Sequence, residues 1–282
     1  MLLITDETTL RKYLPNAFTS VEGEESLYAK LTPWLAMAEL WLQQKILGTP
    51  TLTAIAAEED SVANNLSRKI VVDTAFRSAI PSLDLVLTPN GFGIVSNQNV
   101  VPASRERIER LIKELDDSRD NDLEALLAIL PEREDWHDSA PRRFWGATLF
   151  PNIEVCREVE QSKDDVRSRY DHYFRLRSRI ISIEEQMAEE FLSHELLGHL
   201  RHLLSTAPMQ LSSAENRVIK QVRNEIVSVL NGFPPCRPHL VSIVNFIRNS
   251  PDEFPLWHSS STAMLFTPPI FENKKQSSGF WF

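Results

Sequence analysis

A mainly α fold with one β-hairpin is what this sequence predicts, and three observations carry the prediction. Apolar residues recur three and four apart over long stretches, the spacing of one helix face. Glycine numbers only 8 in 282 residues. Strand signals gather at one place, about 83–97, where the apolar runs LDLVL and FGIVS flank Thr88-Pro89-Asn90-Gly91. Asn-Gly between apolar runs suits a tight turn, because both residues tolerate positive φ. An isolated hairpin is barely stable in water, so helices must pack on it.

The elements follow in chain order. After a short extended start, Thr5 or Asp6 can cap a first helix that turns Leu10 and Leu14 inward. From Gly23 to Gly48 a longer helix carries Leu27, Leu31, Trp34, Ala38, Trp41 and Lys45 on one stripe, with Pro33 inside it. Either Thr32 caps a new helix there, or one helix kinks at the proline; the unbroken spacing favours the kink. Two tryptophans on one stripe read as core or as a subunit interface. A further helix spans about 61–79 and should stop before Pro81.

Beyond the hairpin, Pro102-Ala103-Ser104 opens a helix with Ile108, Leu111, Leu115, Asp122, Leu126 and Leu130 in phase, ended by Pro131. Residues 131–151 alternate proline, polar and aromatic residues and read as a linker between two halves. A long helix then runs from Ser162 or Lys163 to about Leu192, burying Val166, Tyr170, Tyr173, Ile180, Ile183, Met187 and Phe191. Ser193 caps a helix over 195–204, and Ser212-Ser213-Ala214-Glu215 forms a capping box for the next, which Gly232 ends. Residues 240–248 form one more apolar helix or strand. The expected division is 1–135, a helical domain with the hairpin; 136–258, a second helical domain; and 259–282, an irregular aromatic tail ending in Phe280-Trp281-Phe282. No internal repeat is evident.

Composition narrows the function classes. The formal net charge of −9 argues against a nucleic-acid coat. Arg105, Arg107 and Arg110, and the arginines between 167 and 179, are interleaved with acids and read as solvated faces. The 2 cysteines, Cys156 and Cys236, lack partner spacing and fit a reduced chain. The N-terminus has no basic n-region, so no signal peptide is expected. No stretch approaches the roughly 20 apolar residues of a membrane span. No Gly-rich phosphate loop or nucleophile elbow appears, and no cofactor is expected. The helix–hairpin–helix core contains no obvious catalytic group, which tilts the reading towards a scaffold or assembly protein.

One segment does look like chemistry. His194-Glu195-Leu196-Leu197-Gly198-His199 resembles the zinc motif of the dipeptidyl peptidase III family. That resemblance implies His194 and His199 as ligands, Glu195 as general base, and a zinc peptidase as the alternative function. The histidines stand five apart, roughly 140° around an ideal helix rather than on one side. The family's Glu-Glu segment should follow; here Glu184-Glu185 and Glu189-Glu190 precede it, leaving Glu215 or Glu225 downstream. Glu195, His199 and His202 share a face that could hold an adventitious ion.

Three other stretches carry a wider resemblance: LLITDETTLRKYLPNA near the start, SLDLVLTPNGFGIVSNQNVVPASRERIERL around the hairpin, and RSRIISIEEQMAEEFLSHELL before the histidine motif. They resemble an uncharacterised family of Bacteroides-type phages and prophages, similar to the helical head–tail connector or adaptor proteins that form rings beneath the portal. The resemblance covers most of residues 1–205. It implies a structural role without catalysis, partners among copies of itself and neighbouring portal or tail proteins, no sequence-specific nucleic acid and no membrane. It implies synthesis in the bacterial cytoplasm and incorporation into a particle. The hairpin tip (Pro89, Asn90, Gly91, Phe92), Trp34 and Trp41, and the terminal Phe280, Trp281 and Phe282 are then the candidate interface residues.

Overall fold

The computed structural model describes residues 2–14, 25–83, 85–88, 91–94, 104–160 and 168–267. The fold is mainly α, with thirteen α-helices among these residues. No described helix is long and apolar enough to cross a membrane.

Helix α1 (Glu7–Tyr13) starts where Asp6 accepts the amide of Thr9 and buries Leu10. Helix α2 (Leu27–Leu42) is capped by Ser26 and runs through Pro33 without a new cap. Its buried residues are Leu31, Leu35, Ala38, Glu39 and Leu42, so the inner face is rotated from the expected stripe and both tryptophans lie at its margin. A π-helical turn at Gln43–Leu47 continues it and ends at Gly48, φ +82°. Helix α3 (Thr49–Ala57) and helix α4 (Val62–Leu83) follow. Pro81 falls inside α4 rather than ending it, because so near a helix end it removes only one hydrogen bond.

Strands β1 (Leu85–Thr88) and β2 (Gly91–Ile94) run antiparallel with Leu85 opposite Ile94 and Thr88 opposite Gly91. Pro89 and Asn90 lie outside the described residues. Helix α5 (Arg105–Ile129) then packs along α4. The periodicity reading missed that α5 buries Arg119 and Asp120 beside Leu123, Leu126 and Leu127. These two belong to a charged ladder. Lys69 of α4 reaches Asp122 at 2.8 Å, Arg77 reaches Asp116 at 3.3 Å, and Arg119 spans Asp116 and Asp120.

The expected linker, 131–151, is instead part of the core. It forms α6 (Glu134–His137) and α7 (Ala140–Trp145), and Trp136 and Trp145 are both fully buried. Proline and polar residues here start and cap short helices, which imitates a linker's composition. Helix α8 (Arg169–Met187), capped by Ser168, is prolonged by a second π-helical turn, Ala188–Leu192, ending at Ser193, φ +68°. Helix α9 (His194–Thr206) follows, then α10 (Ser213–Leu230) with the predicted capping box, and α11 (Arg237–Arg248). Beyond 259 the chain is not irregular throughout: α12 (Pro255–His258) leads to α13 (Ser261–Leu265), capped by Ser260. Phe280, Trp281 and Phe282 lie outside the described residues.

The chain carries one architecture twice, a repeat the sequence did not reveal. Glu39, Gln43 and Gly48 stand at the same mutual spacing as Glu184, Ala188 and Ser193: a buried glutamate on a long helix, a π-helical turn, then a positive-φ residue that opens a shorter helix. Glu39 accepts the backbone amides of Leu2 and Leu3 at 2.9 Å, and Glu184 accepts that of Leu149 at 2.8 Å. The indole N–H of Trp136 donates to the Ile46 carbonyl and that of Trp257 to the Phe191 carbonyl, both at 2.8 Å. Ile46 and Phe191 occupy the same place in their turns. Trp136-His137 with Ser139 matches Trp257-His258 with Ser260, each serine capping the next short helix. One hydrophobic core runs through both copies.

The α4–α5 ladder generates a pH prediction. Burial raises the Asp73 carboxyl from 3.8 to about 6, only partly offset by Ser118, Lys69 and Arg119. The folded chain therefore binds this proton more tightly than the unfolded one. The charged form costs stability above about pH 6, and the cost fades as pH falls towards 3.8. Asp73→Asn should stabilise the protein by roughly 1–3 kcal/mol near pH 7 and by almost nothing near pH 4. Urea titrations of both proteins at the two pH values check this; a gain independent of pH would mean that Asp73 is not the titrating group.

Candidate functional site

Among the described residues, those that the sequence singled out do not converge on one site. Trp34 and Trp41 flank α2 as half-buried side chains packed against the core, and Trp41 meets Tyr170 edge-on at 5.1 Å between ring centres. Gly91 and Phe92 lie in β2.

The HELLGH residues are held by the fold individually. His194 opens α9 and its Nδ1 lies 3.2 Å from Glu185. Glu195 is exposed one residue on. His199 points elsewhere, its Nε2 2.9 Å from Glu215. Glu215 already accepts the Ser212 amide at 2.8 Å in the capping box, so one carboxylate seats a helix start and a histidine together. His202 takes a hydrogen bond from Arg142 on Nδ1 at 3.0 Å. Glu225, the other downstream carboxylate, accepts the Cys236 amide and pairs with His239 at 2.8 Å. Among the described residues no three His, Cys, Asp or Glu side chains come together to hold a metal. The fold uses these groups as helix-to-helix fasteners.

A feature that the sequence reading passed over is the outward side of α2. Ala29, Pro33, Ala36, Met37 and Leu40 all face out, with Met37 69% and Leu40 50% exposed. They recur at the spacing of one helix face, opposite the core face of Leu31, Leu35, Ala38 and Leu42. A helix that is apolar all round is normally covered on every side, and contiguous apolar surface marks interaction sites more often than scattered residues do. The signal was present: from Leu31 to Leu42 the only charged residue is Glu39, which is buried. At the positions matching Ala29, Pro33, Ala36, Met37 and Leu40, helix α8 carries Phe174, Ser178, Ile181, Ser182 and Glu185. The outer face is continuously apolar in the first copy and mixed in the second.

Residues 19–144 of the chain, less than half of it, match the model of a family of unknown function, DUF6712. No curated protein and no solved structure matches. The matched segment contains α2, both strands and the α4–α5 pair, and it stops short of the HELLGH helix.

Metal analysis tests how the histidines are used. Protein purified without added metal is expected to contain far less than one zinc per chain, and His199→Ala should leave that content unchanged. About one zinc per chain, lost on His199→Ala, would make the histidine motif a metal centre.

Proposed function

We propose that this chain is a non-catalytic structural subunit of a larger assembly, a phage or prophage protein of the head–tail connector or adaptor kind. Its partners would be copies of itself and neighbouring portal or tail proteins, with no sequence-specific nucleic acid and no membrane. The observation that supports this reading best is α2, apolar on its core side and again on its outer side. Leaving such a face in water forgoes about 25 cal/mol for every Å² that a partner could cover. A ring built by one repeated contact needs two different complementary patches on each subunit. The α2 face supplies one, and the aromatic C-terminal residues Phe280, Trp281 and Phe282 and the hairpin around Pro89 to Phe92 are candidates for the other. The zinc-peptidase reading draws no support from the placement of His194, Glu195 and His199, each of which lies in a different setting.

Binding to the portal protein encoded nearby tests the proposal with three proteins: the full chain, the chain lacking residues 276–282, and Met37→Asp combined with Leu40→Asp. The full chain should bind. The double variant should bind at least tenfold more weakly while its stability changes by no more than about 0.5 kcal/mol, as for exposed positions generally. Loss on truncation would assign the tail to the contact. If the full chain binds no portal, capsid or tail protein and enters no particle, the connector reading fails.

A further inference from the structure

Helices α7 and α9 meet where the first copy gives way to the second, and a shallow cavity of about 240 Å³ lies between them. No carboxylate lines it. Arg142 and Arg143 come from α7, and Gly198, Arg201, His202 and Ser205 from one face of α9. Arg201 is already committed, its guanidinium bonded to Glu184 at 2.6 Å and Glu185 at 2.7 Å. Arg142 and Arg143 have no ion pair among the described residues. Asp138 acts on Arg142 only through space, while burial pulls the Arg142 guanidinium below its usual pKa.

Two features of the lining bear on what this cavity could hold. The first is an orphaned donor. Arg142 Nη2 lies 3.0 Å from Nδ1 of His202, yet the Arg142 Nε is buried with no hydrogen-bond partner. A buried N–H without an acceptor is costly, and a guanidinium more so. The second is Gly198, in the middle of α9, where glycine is a poor helix former. A Cβ built on it would meet nothing within 4 Å, so packing against protein does not require glycine there. By contrast, a Cβ on Gly146 would lie 2.6 Å from Cβ of Ser205. Gly146 thus brings the two helices into close approach, and Gly198 leaves the space beside them open.

We propose that this cavity is a binding site for a small oxyanion, foremost a phosphate group, held by Arg142 and Arg143 above Gly198. An arginine fork presents paired N–H groups that match phosphate oxygens, and Arg143 is exposed with no ion pair among the described residues. This inference stands apart from the assembly reading, since the α2 face contributes nothing to the cavity.

Calorimetric titration of the full chain with sodium phosphate tests it, at ionic strength held constant with chloride and with acetate as a second ligand. Saturable binding of one phosphate per chain is expected, with acetate weaker by tenfold or more. Arg142→Gln should weaken phosphate binding at least tenfold. Gly198→Glu, which sets a carboxylate on the cavity wall from an exposed position, should abolish it while circular dichroism and melting stay native-like. If Arg142→Gln fails to fold, Gly198→Glu decides alone. An absence of saturable phosphate binding by the native chain, or undiminished binding by Gly198→Glu, overturns the proposal. Acetate binding as tight as phosphate overturns its assignment to phosphate. Portal binding is a separate measurement, so failure here leaves the assembly reading as it was.

Discussion

Each copy of the repeated unit depends on one hydrogen bond from an indole to the end of a helix. The last carbonyls of any helix lack intrahelical partners and must find them elsewhere when buried. At Ile46 and Phe191 the partner is a tryptophan that arrives much later in the chain, Trp136 in one case and Trp257 in the other. Trp145 does the same for Lys45 at 3.0 Å. These indoles are fully buried or nearly so, so each combines a large apolar surface with the one donor that the helix end needs. The bond also sets topology. It returns the closing short helices of each copy to the π-helical turn near its opening, and everything between is held within that loop.

The two features of functional interest follow from that closure. Because α6 and α7 are drawn onto the first π-helical turn, α7 is placed against α9 of the second copy, and the arginine-lined cavity forms where they meet. Because the inner side of α2 is fixed by the same turn and by Glu39 holding the start of the chain, its opposite side has no role in the core. The buried glutamates carry a cost of their own. Burial pushes the Glu184 carboxyl up to about 6 despite Arg201 beside it. Such groups contribute through geometry and the bonds they satisfy more than through net electrostatic energy.

Much of the fold was legible because its signals are local. Asp6, Ser193 and the Ser212–Glu215 box lie within a few residues of the amides they satisfy, and a reader of sequence sees both partners at once. The mainly helical class rests likewise on spacing along single helices. What was hidden depends on partners distant in sequence or on patterns with two valid phases. Helix α2 offers apolar residues on both sides, so periodicity chose a stripe through Trp34 and Trp41 that shares Leu31 and Ala38 with the core face but is rotated from its centre. Asp120 is buried where it accepts the Tyr170 amide of another helix, which no local pattern shows, while Arg119 pairs with Asp116 and Asp120 of its own helix, a spacing that periodicity reads as a solvated face. The repeat escaped notice because its identical residues are few and scattered: a glutamate, a Trp-His pair and capping serines. Of the candidate site, Arg142 lies in the stretch that composition marked as a linker, and Gly198 lay inside a motif read for its histidines.

A duplicated unit is its own comparison set. The positions that agree between the two halves are those where another residue would leave a buried amide or carbonyl without its partner. Elsewhere the two halves differ, most visibly on their long helices: where α2 turns Met37 and Leu40 outward, α8 carries Ser182 and Glu185. Agreement beneath one face, against difference upon it, separates what the fold requires from what it leaves open.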